Sequence, residues 1–158
     1  MTDVTQTFID LVRVETRWYN VVDERLQTEH GVSAGLYQAL VVIGERPQCR
    51  VTDLVTELAI SVGAASKIVD RLQAAGWCRR TANPDDRRSS LLSLTSAGQR
   101  LVADARATFA DEIERWASRA FTEKERRTFA ASLEKLRRVL EEAGVGVPGL
   151  PPADRSPS

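Results

Sequence analysis

Residues 51–94 read VTDLVTELAISVGAASKIVDRLQAAGWCRRTANPDDRRSSLLSL, and the way this stretch changes its hydrophobic period decides the fold. Leu54 and Leu58 give a short helix from about Thr52 an inward face. Ser61 is an N-cap candidate for a second helix, about Val62 to Ala75, and Gly76 is its stop. Two short helices with a tight turn between them make a helix-turn-helix candidate. Helical geometry turns Ala65, Ile68, Val69 and Leu72 inward. Gly63, Ser66, Lys67 and Asp70 face outward, with Ala64 and Arg71 beside them. Small residues near the helix start would let its backbone approach a DNA major groove. Ser66 and Lys67 could then donate to base edges or phosphates. The free N–H groups of the first turn favour an anion. On the helix pair alone, an ordinary solvent face of a small bundle fits equally well.

After Gly76 the period shortens. WCRRTA (77–82) and SLLSL (90–94) read as strands flanking a charged turn around Asn83-Pro84, a β-hairpin. A two-stranded ribbon after a recognition-helix candidate is a wing. Arg79 and Arg80 lie on its first strand, Arg87 and Arg88 in its loop. Arginine suits the narrow, electronegative minor groove, and Asp86 is expected to hold one through a carboxylate–guanidinium pair. The competing reading of this tip is a solvated loop with cancelling charges.

Outward from this core, residues 4–30 read as one long helix with two apolar stripes, Phe8/Val12/Tyr19/Val22/Leu26 and Leu11/Val14/Trp18/Val21. A helix on one side of a monomer needs one stripe. Two imply either a central core helix or one sandwiched against a second subunit. Ser33 is expected to cap a second helix, with Leu36, Leu40 and Ile43 buried, that stops at Gly44 before Pro47. Thr95 is expected to cap a helix over 96–120 with the stripe Leu101, Ala105, Phe109, Ile113, Trp116 and Ala120. Thr122 and Glu125 form a T-x-x-E capping box for a last helix, whose seam is Phe129, Leu133, Leu136 and Leu140. The Gly/Pro/Ser-rich residues 144–158 are expected to form a disordered tail.

The chain has 158 residues, 42% hydrophobic and 28% charged, which favours one globular domain. Net charge is zero but unevenly spread: residues 1–60 carry net −4 and residues 61–100 net +4. A phosphate backbone responds to that local field. No apolar run is long enough to span a membrane, and MTDVTQTF carries no secretory signal pattern. A cytoplasmic, membrane-free setting is expected, and the two cysteines suit it. Catalytic motifs are lacking, so no enzyme is expected. The one histidine, His30, reads as a helix-end residue interacting with the dipole. His30, Cys49 and Cys78 have no ligand spacing, so neither metal nor cofactor is expected. The cysteines are expected to be bystanders. A winged helix that docks protein rather than DNA is the alternative of another class; the basic wing argues against it.

The stretch DRRSSLLSLTSAG (86–98) closely resembles the MarR family's wing pattern, D-x-R-x-x-x-L-x-L-T-x-x-G, at Asp86, Arg88, Leu92, Leu94, Thr95 and Gly98. LAIS and SKIVDRLQAAGW within 58–77 are similar to that family's recognition helix. The resemblance covers roughly residues 5–143 and implies a mainly α fold with a small β-hairpin. It implies one domain over 1–143: a winged helix-turn-helix lobe over 33–94, and interlocking dimerisation helices over 4–30 and 96–143. It further implies a homodimeric transcriptional regulator, usually a repressor, bound to double-stranded DNA at an inverted repeat. The site it implies is Gly63, Ala64, Ser66, Lys67, Asp70 and Arg71 at the major groove, with Asp86, Arg87 and Arg88 on the wing. Arg88 would enter the minor groove and Asp86 would brace it. Relatives often bind small anionic aromatics in a crevice beside the dimer helices; Arg13, Arg17, Trp18 and Tyr37 are the candidates here for an effector site. Other relatives sense oxidation through a cysteine in the first helix, which this chain lacks.

Overall fold

The structure, a computed structural model, describes residues 3–149. In chain order it comprises α1 (Val4–His30), α2 (Ala34–Glu45), α3 (Val51–Leu58), α4 (Val62–Ala74), β1 (Cys78–Ala82), β2 (Ser90–Leu94), α5 (Ser96–Ala120) and α6 (Glu123–Glu142). Each helix start has a local cause. Ser33, Ser61, Thr95 and Thr122 accept N–H bonds of the first turn. Asp3 caps α1 in the same way. Only α3 lacks such a residue; there Asp53 reaches back to the Arg50 N–H at 2.6 Å.

Helix α2 is the central element, packed against α1, α3, α4, α5 and β2. The core around it is fully buried at Leu26, Val32, Leu40, Leu54, Val69 and Leu72. Its C-terminus departs from expectation. The helix runs through Gly44 to Glu45, and Gly44 lies within it at a close approach: a Cβ there would lie 3.0 Å from Leu94 Cδ1. The strands pair antiparallel, from Cys78 opposite Leu94 to Ala82 opposite Ser90. The Leu92 N–H donates to the Cys49 carbonyl at 2.7 Å, which anchors the middle of β2 to the loop before α3.

The pattern residues Thr95 and Gly98 weld the end of α4 to the start of α5. The Thr95 N–H donates to the Trp77 carbonyl at 3.0 Å. Its hydroxyl donates to the Gly76 carbonyl at 2.6 Å and accepts from the Gly98 N–H at 3.1 Å. Gly98 thus lies directly on the Trp77 backbone.

A polar network that the apolar stripes do not reveal ties α1 to α5. Glu112, 4% exposed, accepts from Arg25 Nη1 at 2.9 Å and Trp116 Nε1 at 2.7 Å. Burial pushes its carboxyl up. The bonds from Trp116 and Arg25, with the charge of Arg115, outweigh burial and hold it below the ordinary carboxylate range. Arg25 also bonds Glu29 and Asp111. Thr108 donates to Glu29 at 2.9 Å, and its oxygen lies 2.8 Å from His30 Nε2.

Much apolar surface on the long helices stays uncovered. Of α1 only Val22 and Leu26 are buried, while Phe8, Val12 and Val14 are exposed; α1 is not a central core helix within its own chain. Helix α6 buries no residue, and Leu133, Leu136 and Leu140 of its seam are exposed. Residues 144–149 follow it as a turn in which Val147 packs back on the core. The remainder of the expected tail lies outside the described residues.

Candidate nucleic-acid interface

Helix α4 and the β1–β2 hairpin form one face of the lobe. Ala65, Val69 and Leu72 are buried against the core and Ile68 is half-buried, so the helix's orientation follows from its apolar positions. Gly63, Lys67, Asp70 and Arg71 are then exposed, with Ala64 and Ser66 half-buried beside them. Ser61 Oγ accepts from the Ala64 N–H at 3.2 Å. A Cβ on Gly63 would meet nothing within 4 Å, so the first turn is open to an approaching surface.

The hairpin loop is held by polar side chains bonded to backbone and hydroxyl groups. Asn83, 6% exposed, accepts from the Asp85 N–H at 3.0 Å and donates to Ser89 Oγ at 2.9 Å. Asp86 Oδ1 accepts from the Arg88 N–H at 3.0 Å, and the Asp86 carbonyl accepts from the Ser89 N–H at 3.1 Å. The expected Asp86–guanidinium pair is therefore replaced by an Asx turn. A carboxylate two residues before an N–H closes that ring locally, without ordering a long side chain. Among the described residues, Arg87 and Arg88 are exposed and no carboxylate pairs with either. The role of Asn83 was signalled only by its place before Pro84.

The two basic residues of β1 are already engaged. Arg79 Nε donates to Ser93 Oγ at 3.0 Å. Arg80 Nη2 lies 2.7 Å from Asp70 Oδ1, and its Nε donates to Gln73 Oε1 at 2.8 Å. Asp70 faces outward as expected and is paired with Arg80 of the wing strand.

The four effector-site candidates separate. Arg17 and Trp18 line a cavity of about 470 Å³ with Trp116 and Phe121. Tyr37 is buried, its ring centroid 5.0 Å from that of Phe109, and it lines a neighbouring cavity with Arg106. Arg13 joins neither; it is exposed and 3.8 Å from Asp10. Five positions before Trp18, it lies about 140° round the helix from it. Trp18 Nε1 is buried without a hydrogen-bond partner.

Both cysteines are free and buried. Burial pushes the Cys49 thiol up to about 11 and raises that of Cys78. At pH 8 this leaves about one Cys49 in a thousand as thiolate. Native protein is expected to react with a thiol reagent such as Ellman's far more slowly than urea-unfolded protein. Equal rates at either cysteine would refute this.

Helix, turn and helix followed by a β-ribbon define a winged helix-turn-helix. The model of the MarR family matches residues 32–90, which run from α2 to the start of β2. The HTH-type transcriptional regulator BilQ of Clostridium symbiosum is 28% identical over 116 residues, covering 73% of this chain and 79% of the relative. Among solved structures, Sco3205 of Streptomyces coelicolor, a MarR family transcriptional regulator crystallised with DNA, matches with a TM-score of 0.81. It is 22% identical, over 91% of each chain. BpsR of Bordetella bronchiseptica, whose DNA binding is regulated by 6-hydroxynicotinic acid, matches with a TM-score of 0.74 at 23% identity. That match covers 84% of this chain and 98% of BpsR. The lobe is thus similar to the MarR family, and the fold over most of the chain is the one seen in solved MarR family transcriptional regulators. No helix among the described residues is long and apolar enough to cross a membrane.

Proposed function

We propose that this chain is a MarR family transcriptional regulator, a cytoplasmic homodimeric repressor that binds an inverted-repeat operator in double-stranded DNA. In this reading Gly63, Ala64, Ser66, Lys67 and Arg71 of α4 meet the major groove, and Arg88, with Arg87, meets the minor groove. The observation that carries it is the wing. The Asp86 carboxylate is turned to backbone, and the loop arginines Arg87 and Arg88 are exposed and, among the described residues, pair with no carboxylate, on the lobe that also carries the open first turn of α4. That is the arrangement a polyanion selects. The Sco3205–DNA complex supports it by analogy of fold. Fragment selection from genomic DNA followed by salt titration tests it; retention by neither DNA nor heparin would favour a protein-docking wing.

The uncovered faces of α1 and α6 support the dimer, because they exceed what a monomer ordinarily leaves in water. Light scattering is expected to give twice the 17.5 kDa chain mass. Footprinting is expected to show two half-sites with centres ~10 bp apart, one helical turn. A folded monomer at micromolar concentration, or a single unrepeated half-site, would count against this reading. The regulation of BpsR by an aromatic acid supports a small-molecule effector here, taken up in the crevice lined by Arg17 and Trp18.

A further inference from the structure

We propose that Arg80 is a positioning residue that clamps the wing to the recognition helix through Asp70 and Gln73, and that Asp70 serves this clamp rather than reading DNA. The inference rests on the DNA-binding reading of the lobe.

Arg80 is the middle residue of β1, opposite Leu92. Leu92 is buried, and its N–H is spent on Cys49. That pins the middle of β2 to the loop before α3 and leaves the tip several residues away. Arg80 adds a second attachment. Two donors of its guanidinium meet acceptors on Asp70 and Gln73, three residues apart on one face of α4. Two bonds from one planar group restrain rotation as well as distance. The pitch of the hairpin then sets where Arg88 stands relative to Lys67, and two grooves can be engaged together only at one such spacing. Asp70 also needs a partner for an electrostatic reason. Free, its carboxylate would stand on the face turned toward phosphates. Paired with Arg80 it is neutralised.

The competing assignment makes Arg80 a phosphate contact that merely rests on Asp70. The two differ in sign. If Arg80 were a phosphate contact, removing Asp70 would free a cation and strengthen binding. If Arg80 is a clamp, removing either partner weakens it.

The test uses Asp70→Ala, Asp70→Asn, Arg80→Ala, the Asp70→Ala/Arg80→Ala double variant and Asp70→Glu, each in the full chain. Operator titrations at several salt concentrations are paired with hydrogen exchange of the DNA-free protein. Asp70→Ala and Arg80→Ala are each expected to lose about three- to tenfold in affinity with the salt slope unchanged, and the double variant no more than the worse single. Asp70→Asn keeps the shape without the charge and is expected to lose less than Asp70→Ala. Asp70→Glu is expected to restore most of the affinity. Hairpin amides are expected to exchange faster in Asp70→Ala and Arg80→Ala, with α1 and α5 amides unchanged. Tighter binding by Asp70→Ala, with a slope about one unit shallower in Arg80→Ala, would overturn the clamp. So would unaltered hairpin exchange. If the wild-type chain bound no DNA fragment, the DNA reading would fail by itself, and the exchange experiment would still decide the clamp.

Discussion

Gly98→Ala is expected to destabilise the protein by about 3 kcal/mol or more, the top of the range for forcing one methyl into a packed site. A Cβ at Gly98 would overlap the Trp77 carbonyl oxygen and come within 2.9 Å of its carbon. The obstacle is backbone and cannot swing aside like a side chain. Relief requires tilting α5 off the end of α4, which lengthens the Thr95 bonds to Trp77 and Gly76. Those bonds begin the helix that carries α1's partner surface, so the strain is not confined to a loop. The gain in helix propensity from Gly to Ala, about 1 kcal/mol, is too small to offset it. Urea unfolding measures the loss, and an unchanged midpoint would refute the account. Gly63→Ala is the matched control. It faces open space, so it should leave stability unchanged or raise it. If the first turn of α4 approaches DNA closely, it should still weaken operator binding.

Arg88→Ala is expected to weaken operator binding by roughly 1–3 kcal/mol and to lower the salt slope by about one unit. The fold and dimer should be intact, because the side chain is exposed. Arg137→Ala is the control, since Arg137 pairs with Glu141 on α6 and belongs to neither α4 nor the wing. Equal affinities for the two variants across salt concentrations would reduce the wing to a solvated tip. Asp86 separates two ways of bracing the loop. If its charge held a guanidinium, Asp86→Asn would behave like Asp86→Ala. As an acceptor for the Arg88 N–H, it should tolerate Asn, whose carbonyl oxygen accepts equally, and lose affinity only as Ala.

The sequence by itself determined what depends on neighbours within a few residues. Ser33, Ser61, Thr95 and Thr122 cap the helices they were expected to cap, because a hydroxyl satisfies an N–H two or three positions on whatever the tertiary context. The hairpin and the inward face of α4 were legible for the same reason, since strand and helix periods are local. Helix α3 begins at Val51, in line with the expected start at about Thr52, and what starts it is Asp53 reaching backward rather than a capping hydroxyl.

Only the tertiary structure decided which charges meet. The chain carries 22 basic and 22 acidic side chains, and nothing local distinguishes one possible pair from another. Asp86 sits beside two arginines and bonds a backbone N–H instead. Asp70 meets Arg80 across the turn between α4 and β1. Arg25 meets Glu112, 87 positions away, only because α1 and α5 pack side by side. Gly44 and Gly98 looked like a stop and a pattern match. Gly98 must be glycine because the Trp77 backbone lies against it, and Gly44 is closely approached by Leu94, in both cases from elsewhere in the chain. A close contact of that kind is a property of the path the chain takes through space, and a hydrophobic period carries no record of it.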